Sequence, residues 1–99
     1  MIYCIDIDGT ICDTEGGDYV KSVPRREVID TINRLYAKGH YILIFTARGA
    51  TSGRKLRNFT LKQLKSWGLK FNKLKMGKPA ADIFIDDKAV NFNEWRGAL

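Results

Sequence analysis

The stretch CIDIDGT, residues 4–10, decides how the chain is read. It closes a short, almost continuously apolar run, IYCIDI at 2–7, of the kind that forms a strand covered on both faces. Yet that run delivers two carboxylates, Asp6 and Asp8, into a Gly-Thr turn. Residues two apart on a strand share a side, so Asp6 and Asp8 point together while Ile7 packs between them. Gly9 then lets the backbone bend, so that Asp8 approaches the same space from a second direction.

Working outward, the hydrophobic period changes. Residues 11–23 form a turn-rich flap with Gly16, Gly17 and Asp18. Pro24 suits the first position of a helix whose stripe is Val28, Ile29, Ile32, Leu35 and Tyr36, closed by Gly39. YILIFT, 41–46, reads as a second buried strand. A second helix is expected over 52–67, capped by Thr51 or Ser52 and closed by Gly68, with Leu56, Phe59, Leu64 and Trp67 facing inward. Residues 71–76 are a weak strand and DIFID, 82–86, a stronger one; a short helical segment with Val90, Phe92 and Trp95 follows.

This order predicts one α/β domain over residues 1–99, a three-layer α/β/α sandwich around a small, mainly parallel Rossmann-like sheet. The joint at 77–81 is short for a crossover between parallel strands and holds at most a single turn. In such sheets ligands gather at the carboxyl ends of the strands. That rim would carry Asp6, Asp8, Thr46, Lys78, Asp86 and Asp87.

Composition excludes several classes. With 44% hydrophobic and 28% charged residues the chain is neither a disordered tail nor a membrane protein, and no window reaches the ~20 apolar residues of a membrane span. The start has no basic leader before an apolar run, so the expectation is a mature cytoplasmic protein. Cys4 and Cys12, without a CxxC motif and with only His40 as an imidazole, make poor zinc chemistry and read as ordinary thiols. The net charge of +6 is regional: residues 48–78 hold ten Lys or Arg and no acidic residue, a field that favours an anionic ligand.

Four carboxylates on one rim repel unless paired with a cation. Oxygen-only ligands favour Mg²⁺, with Asp6, Asp8, Asp86 and Asp87 as the candidates. With its charge shielded, Asp6 can attack phosphorus as a nucleophile, and Asp8 can serve as general acid and base. Thr46 Oγ, the neighbouring backbone N–H at Ala47, and Lys78 can hold phosphoryl oxygens.

These residues carry a resemblance. DIDGT at 6–10, FTAR at 45–48, GKP at 77–79 and FIDD at 84–87 resemble, in order and strand-end placement, the four motifs of the haloacid dehalogenase-like superfamily of phosphotransferases. The resemblance runs over essentially the whole chain. It implies a Mg²⁺-dependent phosphatase with Asp6 as the aspartyl nucleophile and Asp8 as the acid/base whose backbone carbonyl also contacts the metal. Thr46 would bind phosphate and Lys78 would be the third-motif lysine. Asp87 would ligate the metal with Asp86 supporting it, although these two could exchange roles.

The chain looks nearly capless, so substrate choice would fall to the flap or to a partner subunit, with Tyr19 as a stacking residue and Arg48 as a substrate contact. A likeness to small members of the superfamily associated with capsule and polysaccharide biosynthesis, through TARG, GKPxAD and FIDDKAVN, makes a sugar phosphate the favoured substrate. A second likeness is to phosphatase domains acting on nucleic-acid ends, through Asp86, Asp87, Trp95 and Arg96. Arg48, Arg54, Lys55 and Arg57 give that less favoured alternative a physical basis. A third reading is a noncatalytic anion- or partner-binding module. A small core without a cap leaves room for a homodimer.

Overall fold

The computed structural model describes residues 1–97. Three parallel strands, β1 (Ile2–Ile5), β4 (Tyr41–Thr46) and β5 (Lys73–Met76), form a sheet in the order β1-β4-β5. Ile5 pairs with Ile44 and Ile44 with Leu74, which sets one row of apolar side chains across the sheet. Helices α1 (Arg26–Ala37) and α2 (Arg57–Ser66) supply the two crossovers. Val28, Ile29 and Ile32 of α1 and Leu64 of α2 join Ile5, Ile42, Ile44 and Leu74 in a single buried cluster, so both helices cover the same sheet face. The structure is thus an α/β fold of Rossmann type, without a cap domain.

The flap is more ordered than a loop. Two short strands, β2 (Cys12–Asp13) and β3 (Val23–Pro24), pair antiparallel and close a hairpin whose tip carries a 3-10 turn at Tyr19–Lys21. Pro24 therefore sits in β3 rather than opening α1. Its fixed φ suits an extended chain as well as a first helical turn. Arg25 stays extended, its N–H donates to the Ile11 carbonyl at 2.8 Å, and the helix begins at Arg26.

The second helix is shorter at its start than the expected 52–67. Gly53 adopts φ +71° and the Ser52 hydroxyl accepts the Arg54 N–H, so the residues expected to cap a helix close a local turn instead. Gly49 fixes this turn: its φ is +81°, and a Cβ there would stand 2.3 Å from the Arg54 carbonyl oxygen.

The strand expected at 82–86 does not form. Ile83, Phe84 and Ile85 are exposed, Ile85 at 96%, and the five-residue connection 77–81 carries no crossover helix. A parallel partner for a neighbouring strand needs a dozen or more connecting residues. The last helix, α3 (Phe92–Gly97), leans Phe92 and Trp95 on the core, and Arg96 pairs with Glu27 of α1 at 2.9 Å. The sheet face bearing Ile2, Cys4, Tyr41, Lys73 and Lys75 has no helix over it among the described residues, so the second outer layer of the expected sandwich is not seen there.

Candidate active site

A cavity of about 420 Å³ opens at the carboxyl ends of β1 and β4. Asp6 and Asp8 form its acidic wall, Ala47 and Arg48 follow from the end of β4, Gly17 and Tyr19 reach in from the flap, and Lys78 and Phe84 close the far side. The alternation expected of the opening motif holds: Ile7 is fully buried while both neighbouring aspartates face the cavity. Gly9, at φ +81°, turns the chain directly after Asp8, and a tight loop brings the Thr10 and Ile11 N–H groups back to the Ile7 carbonyl.

Each aspartate has its own cation. Lys78 Nζ lies 3.7 Å from Asp6 Oδ1. Burial raises the Asp6 carboxyl above its ordinary value; the Lys78 charge and the Ile7 N–H pull it back, and the Asp8 charge adds to the rise. Asp8 is held far more tightly. Arg48 Nε donates to Asp8 Oδ2 and Nη2 to Oδ1, both at 2.9 Å, a bidentate pair. Burial pushes Asp8 up, but the hydrogen bonds from Arg48 and Thr14, with the Arg48 charge, outweigh it and hold the carboxyl below its usual range.

The flap is wired to the same carboxylate. Thr14 Oγ donates to Asp8 Oδ1 at 2.6 Å, and Ser22 Oγ stands 2.6 Å from Thr14 Oγ. Since the Thr14 proton is committed to Asp8, Ser22 is the donor to Thr14. Cys12 Sγ also donates to Asp8 Oδ1, at 3.6 Å, and burial keeps that thiol protonated by pushing its pKa up.

Arg48, expected as a substrate contact, is turned inward. Its side chain is fully buried. Beyond Asp8, its Nη1 donates to Gln63 Oε1 at 2.7 Å and to Thr60 Oγ at 3.4 Å, and its guanidinium lies 4.5 Å from the Tyr19 ring centre. Thr46 is buried beneath the rim, where its Oγ accepts the Arg48 backbone N–H at 3.1 Å. Tyr19 does face the cavity. Trp67 and Trp95 pack against the core, and His40 sits beside the N-terminal amine at 3.1 Å, away from the cavity.

Asp86 and Asp87 stand apart from this group. Both are exposed and neither lines the cavity; Asp86 Oδ1 accepts the Lys88 N–H at 2.7 Å in a local turn. The expected convergence of four carboxylates is therefore replaced by two. Among the described residues no three His, Cys, Asp or Glu side chains gather as a metal-binding group. The missing strand at 82–86 is the cause. Its chain instead folds back so that the Phe84 ring meets Lys78 Nζ at 4.6 Å.

Thr14, Ser22, Gln63 and Phe84 were not anticipated. The signal that could have found Gln63 is a polar stripe on an otherwise apolar helix face: Thr60 is fully buried, and Gln63 is one turn along.

With this geometry in place, comparison with known proteins gives the family. A family model described as haloacid dehalogenase-like hydrolase matches residues 3–72. The chain belongs to the haloacid dehalogenase-like hydrolases. The matched span contains Asp6, Asp8, Thr46 and Arg48 and stops short of Lys78, Asp86 and Asp87. A crystal structure of a target protein from Vibrio cholerae is similar at a TM-score of 0.83 and 27% sequence identity, over 95% of this chain and 85% of that one. No curated protein matches the chain. No helix among the described residues is long and apolar enough to cross a membrane.

Proposed function

We propose that this haloacid dehalogenase-like hydrolase is a Mg²⁺-dependent phosphomonoesterase working through an aspartyl phosphate at Asp6. The observation that carries the reading is the Asp6 carboxylate, half-buried on the cavity wall, with a second carboxylate two residues on and Lys78 at 3.7 Å. In the first half-reaction an Asp6 oxygen bonds phosphorus as the ester P–O bond breaks. The leaving oxygen takes the bond's electron pair and a proton. In the second, water attacks phosphorus, loses a proton to Asp8 and restores the Asp6 carboxylate. Asp8 provides the first proton in its acid form, which Arg48 disfavours in the arrangement seen here. Lys78 offsets the charge on Asp6 and on the entering phosphoryl group, and Ala47 lines the wall where phosphoryl oxygens would sit.

The donor set suits Mg²⁺. Neither His nor Cys lines the cavity, and Asp6 and Asp8 offer hard oxygen ligands of the kind that hold this ion with one or two carboxylates and several waters. When bound, the metal would shield the phosphoryl charge from the nucleophile. Asp86 and Asp87 remain candidates to join it only if their segment moves to the rim.

A cavity of this size, with Tyr19 on its flap side and Phe84 on the far side, fits a small ester such as a sugar phosphate. Phosphorylated nucleic-acid ends are a second reading, favoured by an adjoining cavity of about 520 Å³ lined by Arg54, Lys55 and Arg57. A panel of sugar phosphates, nucleotides and 3′- or 5′-phosphorylated oligonucleotides, run with Mg²⁺, separates them. Turnover that survives Asp6→Asn would refute the mechanism on any substrate. A bound anion with no turnover would favour a binding module.

A further inference from the structure

Two side chains, Gln63 and Arg48, join the tip of the flap to Asp8 by a route separate from its base. Gln63 Nε2 donates to the Tyr19 carbonyl at 2.6 Å, and Gln63 Oε1 accepts from Arg48 Nη1 at 2.7 Å. Arg48 then grips both oxygens of Asp8. The Tyr19 ring lies over the same guanidinium at 4.5 Å, so the flap tip is held by its backbone and its side chain at once. A primary amide suits this bridge, because its N–H donates to a carbonyl on one side while its oxygen accepts from a guanidinium on the other.

We propose that Gln63 and Arg48 form a latch between the flap and Asp8, so that lifting Tyr19 off the cavity and releasing the Asp8 carboxylate are one event. Arg48 and Gln63 are positioning residues here. The contacts supply a route for this coupling: if Tyr19 lifts, Gln63 loses its acceptor and Arg48 its aromatic cover, which leaves a fully buried guanidinium tied to a residue that has lost its anchor. The flap base adds to the effect, since Ser22 donates to Thr14 and Thr14 to the Asp8 Oδ1 that Arg48 also holds. The consequence for turnover, that the acid/base residue is freed only as the site opens to substrate, rests on the phosphatase reading. The latch itself does not.

Two readouts that need no substrate test it on the full chain. Lys21, exposed at the flap tip, reports opening through tryptic cleavage, with exposed Arg54 in the 49–56 turn as the internal reference. The Arg48 Nε–H, bonded to Asp8, reports the clamp through hydrogen exchange followed by NMR. Gln63→Leu is expected to raise Lys21 cleavage relative to Arg54 by about three- to tenfold, the range for a lost hydrogen bond, and to speed Nε–H exchange with it. Val20→Gly loosens the 3-10 turn through a side chain that is exposed and outside the latch, and is expected to raise both readouts too.

The proposal is overturned if Val20→Gly loosens the flap while Arg48 Nε–H stays as protected as in the wild type. It is equally overturned if Gln63→Leu leaves Lys21 cleavage unchanged. A protein with no phosphatase activity on any ester would remove the proposed function and leave both readouts to decide the latch.

Discussion

Replacing Asp8 by Asn keeps the shape of the side chain and removes its charge, which isolates what the carboxylate does for a buried guanidinium. Arg48 has no exposed side-chain surface, and two of its hydrogen bonds, both at 2.9 Å, end on Asp8. Removing one member of a buried pair costs roughly 3–5 kcal/mol. Three features lower that here: Asp8 is 27% exposed, Asn retains one acceptor, and Thr60 and Gln63 still accept from Nη1. The remainder is about 2 kcal/mol, the scale of a hydrogen bond to a charged group.

For a domain of this size that loss lowers the melting temperature by roughly 8–16 °C. Because Asp8 titrates below its usual range in the folded protein, its contribution is complete above the unfolded carboxyl value of about 3.9 and fades as the pH falls through the folded value. Urea unfolding of both proteins between neutral pH and about pH 3 measures this. A difference that stays constant across the range, or one below about 0.5 kcal/mol at neutral pH as for an exposed pair, would refute the reasoning.

Asp6→Asn should go the other way and stabilise the protein at neutral pH while abolishing turnover. The folded-state pKa of Asp6 is raised, so its ionisation opposes folding once the pH passes the unfolded value, and the gain should vanish in acid, as thermal melts at two pH values would show. The Asp8→Asn protein, which has no carboxylic proton to give, should hydrolyse aryl phosphates at least about tenfold faster than alkyl phosphates, because a phenolate needs little help in leaving; equal rates would argue against Asp8 as the acid. Ile85→Lys should change stability by less than about 0.5 kcal/mol, since the side chain is 96% exposed; a loss of several kcal/mol in urea would mean that residues 82–86 are packed. Chelation should stop turnover and added Mg²⁺ restore it.

The order of the main-sheet strands and the two crossover helices up to residue 76 could be read from the sequence because it depends on local period and turn residues, whereas the small hairpin at 12–24 could not. Ile5, Ile44 and Leu74 announce the sheet row, and Val28, Ile29 and Ile32 the helix stripe. The rim was legible in part for the same reason: strand ends place Asp6, Asp8 and Lys78 together whatever the side-chain details. The failures are tertiary. DIFID has the composition of a buried strand, but composition does not say whether a partner strand can be reached from 77–81. Arg48 sits where a substrate contact would, yet which way its guanidinium turns depends on Asp8, Thr60 and Gln63, up to forty residues away in the chain.

The sheet's two outer strands are guarded unequally. On the rim formed by β5, Lys73 and Lys75 stand out into water, and their charges oppose the approach of another backbone. Among the described residues the edge formed by β1 has no such guard: Ile2, Tyr3, Cys4 and Ile5 carry no charge, the amides that point away from β4 meet no further strand, and Ile2 is exposed beside them. An added extended strand would therefore meet the least charge along β1, so the two edges of one small sheet differ in how readily they accept a neighbour.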